Sequence, residues 1–441
     1  MTAGGATSVV TRAKDILQRP DFRRLLGTRM TSQVADGIFQ ATLLMTVVLL
    51  PERQGTVPAF ALATALFLLP FSFLGPFAGV FVDRWRRRRI LVATPLIRAA
   101  VSLVTLPGIA AALVYLGALV VFSVNRFFLA TASAVLPRVL GVREIRDADP
   151  PSTPEVDGVE PPNEHLLLFD ANALAAIAGS VALFVGLFVG SRLTVAVGVP
   201  LTLGAACLAW SAAALVASRL SDSYAPQRPV AVPLHRDLAA VLAELLDGLR
   251  RIRAAPTALA PILTVAVGQF LQIVVIVVCL VAAKAASGNA VISFSWFVAA
   301  AGIGVFAGFL TVGWVRARED RLIGLAFMLS AFALIPSIVL FRGFTLALSA
   351  LFLGLAYAWT RVPADTLAQR AVPDRYRGRV FAVMDLGFNT ARVLGAVVAI
   401  PVVPLLGPRM TLAAVAVLFL LWAPVTPLWL GGAGRGGGLV D

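Results

Sequence analysis

Between Val57 and Val82 the chain carries no charged side chain, and it then meets Asp83 followed by Arg84, Arg86, Arg87, Arg88 and Arg89. About 20 apolar residues cross a hydrocarbon core of about 30 Å, so this run is long enough to span a membrane. Basic residues in short loops resist translocation, which places the arginines on the cytoplasmic side and orients the rest of the chain.

Composition agrees. The sequence is 59% hydrophobic and only 14% charged, with a mean hydropathy of +0.89, whereas a soluble domain is about a quarter charged. The net charge of +14 does not point to nucleic acid, because the arginines sit in short blocks at the ends of apolar runs instead of on one amphipathic face. Cys207 and Cys279 fall inside apolar runs and have no metal-type spacing, so a packing role is expected. No apolar core precedes the first span, which predicts a cytoplasmic N-terminus without a cleaved signal.

Apolar runs bounded by charge, Gly or Pro number twelve: 25–50, 57–82, 90–110, 113–137, 166–190, 194–218, 257–283, 290–314, 322–341, 344–370, 380–404 and 410–430. The expected fold is an all-α polytopic membrane protein of twelve transmembrane helices in two pseudo-symmetric six-helix halves, both termini inside. The basic residues fit that threading, since only Arg53, Arg192, Lys284, Arg342 and Arg409 fall on the outer side. The expected organisation is a cytoplasmic segment 1–24, an N-terminal half 25–218, a connector 219–256, a C-terminal half 257–430 and a flexible tail 431–441.

Two segments stand outside the spans. Residues 141–165 are rich in Pro and acidic residues, cannot bury a core and read as a loosely ordered cytoplasmic insertion. The connector begins extended and Pro-rich, then places Leu238, Val241, Leu242, Leu245, Leu246 and Leu249 at helical spacing, which predicts an amphipathic helix on the inner membrane face. The halves also echo one another. Spans four and ten each hold an Arg, Arg126 or Arg361, with a Pro some three turns later, while spans five and eleven begin with Asp170 and Asn172 and with Asp385 and Asn389.

Gly79, Asp83, Arg84, Arg87 and Arg88 resemble the loop between the second and third helices of the major facilitator superfamily, with Arg86 where the family usually has Gly. FRRLLGTRMTSQVADG, LLLFDANAL, LLDGLRRIRAAP and TLAQRAVPDRYRGRVFAV look like the superfamily's bacterial efflux branch of enterobactin exporters, macrolide efflux proteins and lysophospholipid transporters. The antiporter signature of span five is departed from, with Ser180 where Pro is expected. The resemblance implies a conformational lock in which Asp83 caps the start of span eleven near Asp385 and Arg87 pairs with an acid on a neighbouring helix, a carboxylate at the positive end of a helix dipole. It also implies that spans one, four, seven and ten line a central cavity.

Ionisable groups at bilayer depth are costly and so are functional candidates. Asp36 lies midway along span one on one face with Gln33 and Gln40, and Arg126 on span four is its expected counter-charge. A carboxylate beside an Arg stays ionised and takes a proton when the Arg withdraws, which makes this pair the proton-coupling candidate; a static pair pinning two helices is the equal alternative. Arg361 and Asp365, four residues apart, can pair on one face of span ten in a gating or packing role. Asn125, Gln269 and Gln272 are neutral cavity-lining candidates, with plain helix-to-helix hydrogen bonding as the alternative. Arg98 and Arg392 also lie within spans, and sequence alone names no partner for either.

The sequence therefore predicts no enzyme: Walker, zinc and nucleophile patterns are lacking, and no cofactor is expected. The expected function is a secondary active exporter of an amphipathic small molecule in the bacterial inner membrane, proton-coupled, monomeric and in contact with membrane lipids. The alternatives are a lipid or lysolipid transporter without obligatory coupling, a ferroportin-like metal exporter and a non-transporting membrane sensor. For the metal reading the intramembrane donors are few, since neither His165 nor His235 lies in a span.

Overall fold

A computed structural model of the 441-residue chain describes residues 14–44, 85–103, 111–140, 163–221, 242, 243, 246, 250, 256–285, 290–312, 319–371 and 374–426. Long apolar stretches with few helix-breaking turns leave the backbone nothing but its own hydrogen bonds in lipid, and every long element described is an α-helix. In chain order these are α1 (Pro20–Leu44), α2 (Arg87–Ser102), α3 (Ala111–Val139), α4 (Asn163–Ala217), α5 (Pro256–Ala285), α6 (Ala290–Thr311), α7 (Glu319–Leu340), α8 (Gly343–Ala371) and α9 (Asp374–Trp422).

Among the described residues, six helices are long and apolar enough to cross a membrane, not the twelve in two six-helix halves that the apolar runs predict. The discrepancy has identifiable sources. The run 57–82 lies outside the described residues. The first apolar run folds into α1, which carries Asp21, Arg23, Arg24, Arg29 and Asp36. Of the third, 104–110 lies outside the described residues, and the described part is α2, with arginines at its start and Arg98 inside. In α6 the apolar stretch described with its side chains is Ser295–Thr311. Finally, two pairs of runs are each continuous: 166–190 with 194–218 as α4, and 380–404 with 410–430 as α9.

α4 has 55 residues, about 80 Å of straight helix against a hydrocarbon core of about 30 Å. It does not run straight. Gly198 adopts φ 81° and ψ 171°, a conformation that side chains with a Cβ rarely reach, and Pro200 restarts the helix just after it. Gly27 of α1 faces Val216 while Arg29 faces Gly179, so residues on both arms of α4 lie at one level of α1 and the chain has doubled back. α9 does the same at Gly407, φ 75°, with Pro408 following. Gly395 packs on Phe270 and Ile273 of α5, and Phe419, equally far beyond the bend, stacks on Phe327 beside Gly268 of α5. The two bends share a further bond: Thr202 donates to the Gly198 carbonyl and Thr411 to the Gly407 carbonyl, each at 2.8 Å.

The helices form two groups, α1–α4 and α5–α9; the apolar core of the second also takes in Val114 of α3, while two further clusters lie within the first. Each group has a seam where backbones touch. Gly37, Gly186 and Gly190 let α1 lie against the first arm of α4, and Gly304, Gly308 and Gly354 do this for α6 and α8. The groups meet along α4 and α6, where Phe184 covers Gly302 and the rings of Phe188 and Trp296 lie 5.7 Å apart. Of the connector, Leu242, Ala243, Leu246 and Arg250 are described and exposed; the other residues of the expected amphipathic helix, the insertion 141–162 and the tail from 427 lie outside the described residues.

Candidate functional site

The first candidate constellation is sealed inside the α1–α4 group. Asp36 is 2% exposed and Arg98 not at all. Arg98 Nη1 meets Asp36 Oδ1 at 2.5 Å and Asn125 Oδ1 at 3.0 Å, while Nη2 donates to Ser32 Oγ at 2.8 Å. Trp210 Nε1 donates to the same Asp36 oxygen at 2.9 Å, and the Arg98 guanidinium lies over the rings of Phe128 and Trp210. Among the described residues, Asp36 Oδ2 has no hydrogen-bond partner. Here the expected pairing is corrected. Asp36 faces Arg98 and not Arg126, because the long Arg98 side chain turns inward from α2 and fills the space between α1, α3 and the second arm of α4. Asn125 points into this network as an acceptor for Arg98. Gln33 is buried and Gln40 half-buried along the same helix.

The second constellation joins the two groups. Arg126 of α3 reaches Asp385 Oδ2 at 3.5 Å, and Arg361 of α8 reaches Asp385 Oδ1 at 3.4 Å. Arg361 also pairs with Asp365 at 2.9 Å and stacks 4.1 Å above the Phe388 ring. The contrast with the first constellation is one of access. The Asp385 side chain is 40% exposed and that of Arg126 24%. Its two bonds to arginine are longer than the 2.7–2.9 Å typical of charge-assisted pairs, so water or a solute can replace either.

Gln269 and Gln272 of α5 lie beside this cluster in a small cavity with Phe327, Ser330, Tyr357, Thr360 and Phe419. Gln269 donates to Gln272 at 3.5 Å, and Gln272 to the Leu353 carbonyl at the same distance. Among the loop candidates, Arg87 is buried and donates to the Ala134 carbonyl at 2.8 Å, and Arg88 donates to the Ser218 carbonyl at 2.6 Å. Gly79, Asp83 and Arg84 lie outside the described residues. Trp210 gave no sequence signal, and Arg98 gave a weak one as a lone charge in an apolar run. Among the described residues there is no cluster of three or more His, Cys, Asp or Glu that could hold a metal.

No family model matches the chain. Two uncharacterized MFS-type transporters, of Mycobacterium bovis and Mycobacterium tuberculosis, are each 30% identical over 423 residues, covering 89% of this chain and 87% of theirs. A peptide transporter POT has the same fold with a TM-score of 0.68 at 13% identity, covering 94% of this chain and 95% of its own. The nucleoside transporter NupG follows at 0.65 and 12%, covering 95% and 100%. These findings overturn the exporter expectation. The two solved structures are of a peptide transporter and a nucleoside transporter, and none of these four relatives is described as an efflux protein or as a carrier of lipid or metal.

Proposed function

The chain belongs to the MFS-type transporters, multi-pass proteins of the bacterial inner membrane, and from that premise we propose that it moves a small polar organic solute by alternating access around Asp385. The observation that carries this reading is that Asp385 is held by an Arg from each group of helices, at 3.4 and 3.5 Å, while staying 40% exposed. A solute able to compete for either Arg, or for the carboxylate, would loosen one group from the other. Binding would then be linked to rearrangement, because the solute interacts differently with the joined and the parted states. Two arginines and two carboxylates, with Asp365 as the second acid, suit a solute that itself carries charge.

Proton coupling in this reading belongs to Asp385 and not to Asp36. A coupling group must meet water; Asp385 does so, while Asp36 sits behind Arg98 and Trp210. Arg361, Asp365 and the amides of Gln269 and Gln272 set the walls of the site, and the Asp36 network keeps the α1–α4 group rigid.

The test is solute flux in proteoliposomes with a pH-sensitive dye inside, for dipeptides, nucleosides and organic acids, comparing wild type with Asp385→Asn and Asp36→Asn. Transport with proton movement in wild type, lost in Asp385→Asn, is the expected result. Undiminished flux in Asp385→Asn would overturn the assignment.

A further inference from the structure

Beyond Asp385, the same face of α9 carries Phe388, Asn389 and Arg392, as the spacing of a helix requires. Asn389 is occupied, donating to the Asp385 carbonyl at 2.9 Å, and Phe388 lies under Arg361. Arg392 differs. Its side chain is half-buried and, among the described residues, it makes neither a hydrogen bond nor an ion pair. The group near enough to act on it electrostatically is Tyr357 of α8, which acts on Arg361 as well.

The placement follows from the reach of Arg361 on α8 to Asp385 and Phe388 on α9. Arg361 and Asp385 mark one level, and Tyr357 and Arg392 mark the next one inward, about 10 Å along α9 from Asp385. Tyr357 also borders the cavity shared with Gln269, Gln272 and Thr360. Its hydroxyl has no hydrogen bond among the described residues. Arg361 stacks on Phe388, and Tyr357 lies one turn before the first and Arg392 one turn after the second, so a guanidinium and a phenol whose donors are unused share one level of the two helices. A guanidinium has five N–H donors and no acceptor, and its planar fork matches a carboxylate or a phosphate. A lone cation among apolar helices is costly until an anion joins it.

We propose that Arg392 and Tyr357 form an oxyanion pole of the solute site, receiving a carboxylate or phosphate group of the transported molecule. This rests on the cleft reading above, and it narrows the solute to one bearing such a group. Arg361 is engaged by Asp365 and Asp385 and Arg126 by Asp385, so neither offers the same open charge.

The experiment uses the full chain in nanodiscs and follows its thermal unfolding against inorganic phosphate, succinate, glycylglycine and glycylglycine amide. The expected result is stabilisation of wild type by phosphate or by the carboxylate-bearing probes, and none by the amide. R392Q should weaken that binding by about tenfold or more, R392K by less, and Y357F by about threefold, as the loss of a charge-assisted bond and of a neutral one predicts. If R392Q does not fold, R392K and Y357F carry the comparison. Equal binding of glycylglycine and its amide, wild-type affinity in R392Q, or in R392K together with Y357F, or no response of wild type to any probe would each overturn the proposal. Transport by the D385N variant separates the two readings: if R392Q is unaltered while D385N is inactive, the oxyanion pole fails and the cleft assignment survives.

Discussion

The guanidinium of Arg98 and the carboxylate of Asp36 meet at 2.5 Å with neither side chain reaching the surface. Such a pair holds its position only while both members are present, because either charge left alone in the apolar interior loses its compensation. Asp36→Ala or Arg98→Ala should therefore cost about 3–5 kcal/mol. Asp36→Ala combined with Arg98→Ala should cost less than the two single changes added together. Thermal unfolding of the four proteins in nanodiscs, read as a double-mutant cycle, checks this; strict additivity would mean that the two side chains do not interact.

The glycine seams give a steric prediction. A Cβ on Gly304 would lie 1.8 Å from the Leu351 carbonyl oxygen, and one on Gly354 would lie 2.2 Å from that of Ala301. Both obstacles are backbone, so α6 and α8 must part to admit a methyl group. Gly304→Ala should yield little folded protein, whereas Gly343→Ala, which meets nothing within 4 Å, should change unfolding by less than about 1 kcal/mol. Monodisperse recovery by size-exclusion chromatography is the readout.

Much of this was legible in the sequence, but unevenly. Asp36 stands out because a carboxylate in an apolar run has few bland explanations. Its partner does not, because several arginines lie at similar depth and the choice between Arg98 and Arg126 depends on which helix face turns inward. The all-helical membrane class follows from apolar runs alone. Their number does not convert into a number of spanning helices, since the runs on either side of Gly198, and of Gly407, continue one helical stretch through a bend. The shared pattern of Gly, then Pro, then Thr202 or Thr411 was present to be read. What hid it was the shift of Pro by one place, from Pro200 two residues after its Gly to Pro408 directly after.

Arg126 supplies a prediction separable from that for Asp385. It is the α3 contribution to the charge cluster and bonds Asp385 at 3.5 Å. Arg126→Gln should lower transport by about tenfold or more, the scale of a lost charge-assisted contact. Because the partner carboxylate keeps Arg361, folding should stay near wild type. Flux in proteoliposomes beside an unfolding curve distinguishes the two effects; a large fall in stability would make Arg126 a packing residue.

Contact between the groups can be tested by cross-linking. With Cys207 and Cys279 replaced by Ala, the pair Phe188→Cys and Trp296→Cys should react with a short bis-maleimide, since the two rings lie 5.7 Å apart. Addition of a transported solute should change the yield if α4 and α6 shift relative to each other. Absence of any cross-link would place α4 and α6 apart.

The charges around Asp385 also have an electrical consequence. Arg126 and Arg361 balance Asp365 and Asp385, so these four side chains could cross the membrane field together without net work. Arg392 leaves one positive charge over, and moving one elementary charge through 100 mV involves about 2.3 kcal/mol. The empty carrier, with Asp385 ionised, would therefore feel the membrane voltage as it turns. With a monoanion bound and the coupled proton on Asp385 the sum is again one positive charge, so the voltage would act on the loaded step as well, with one proton moving for each monoanion.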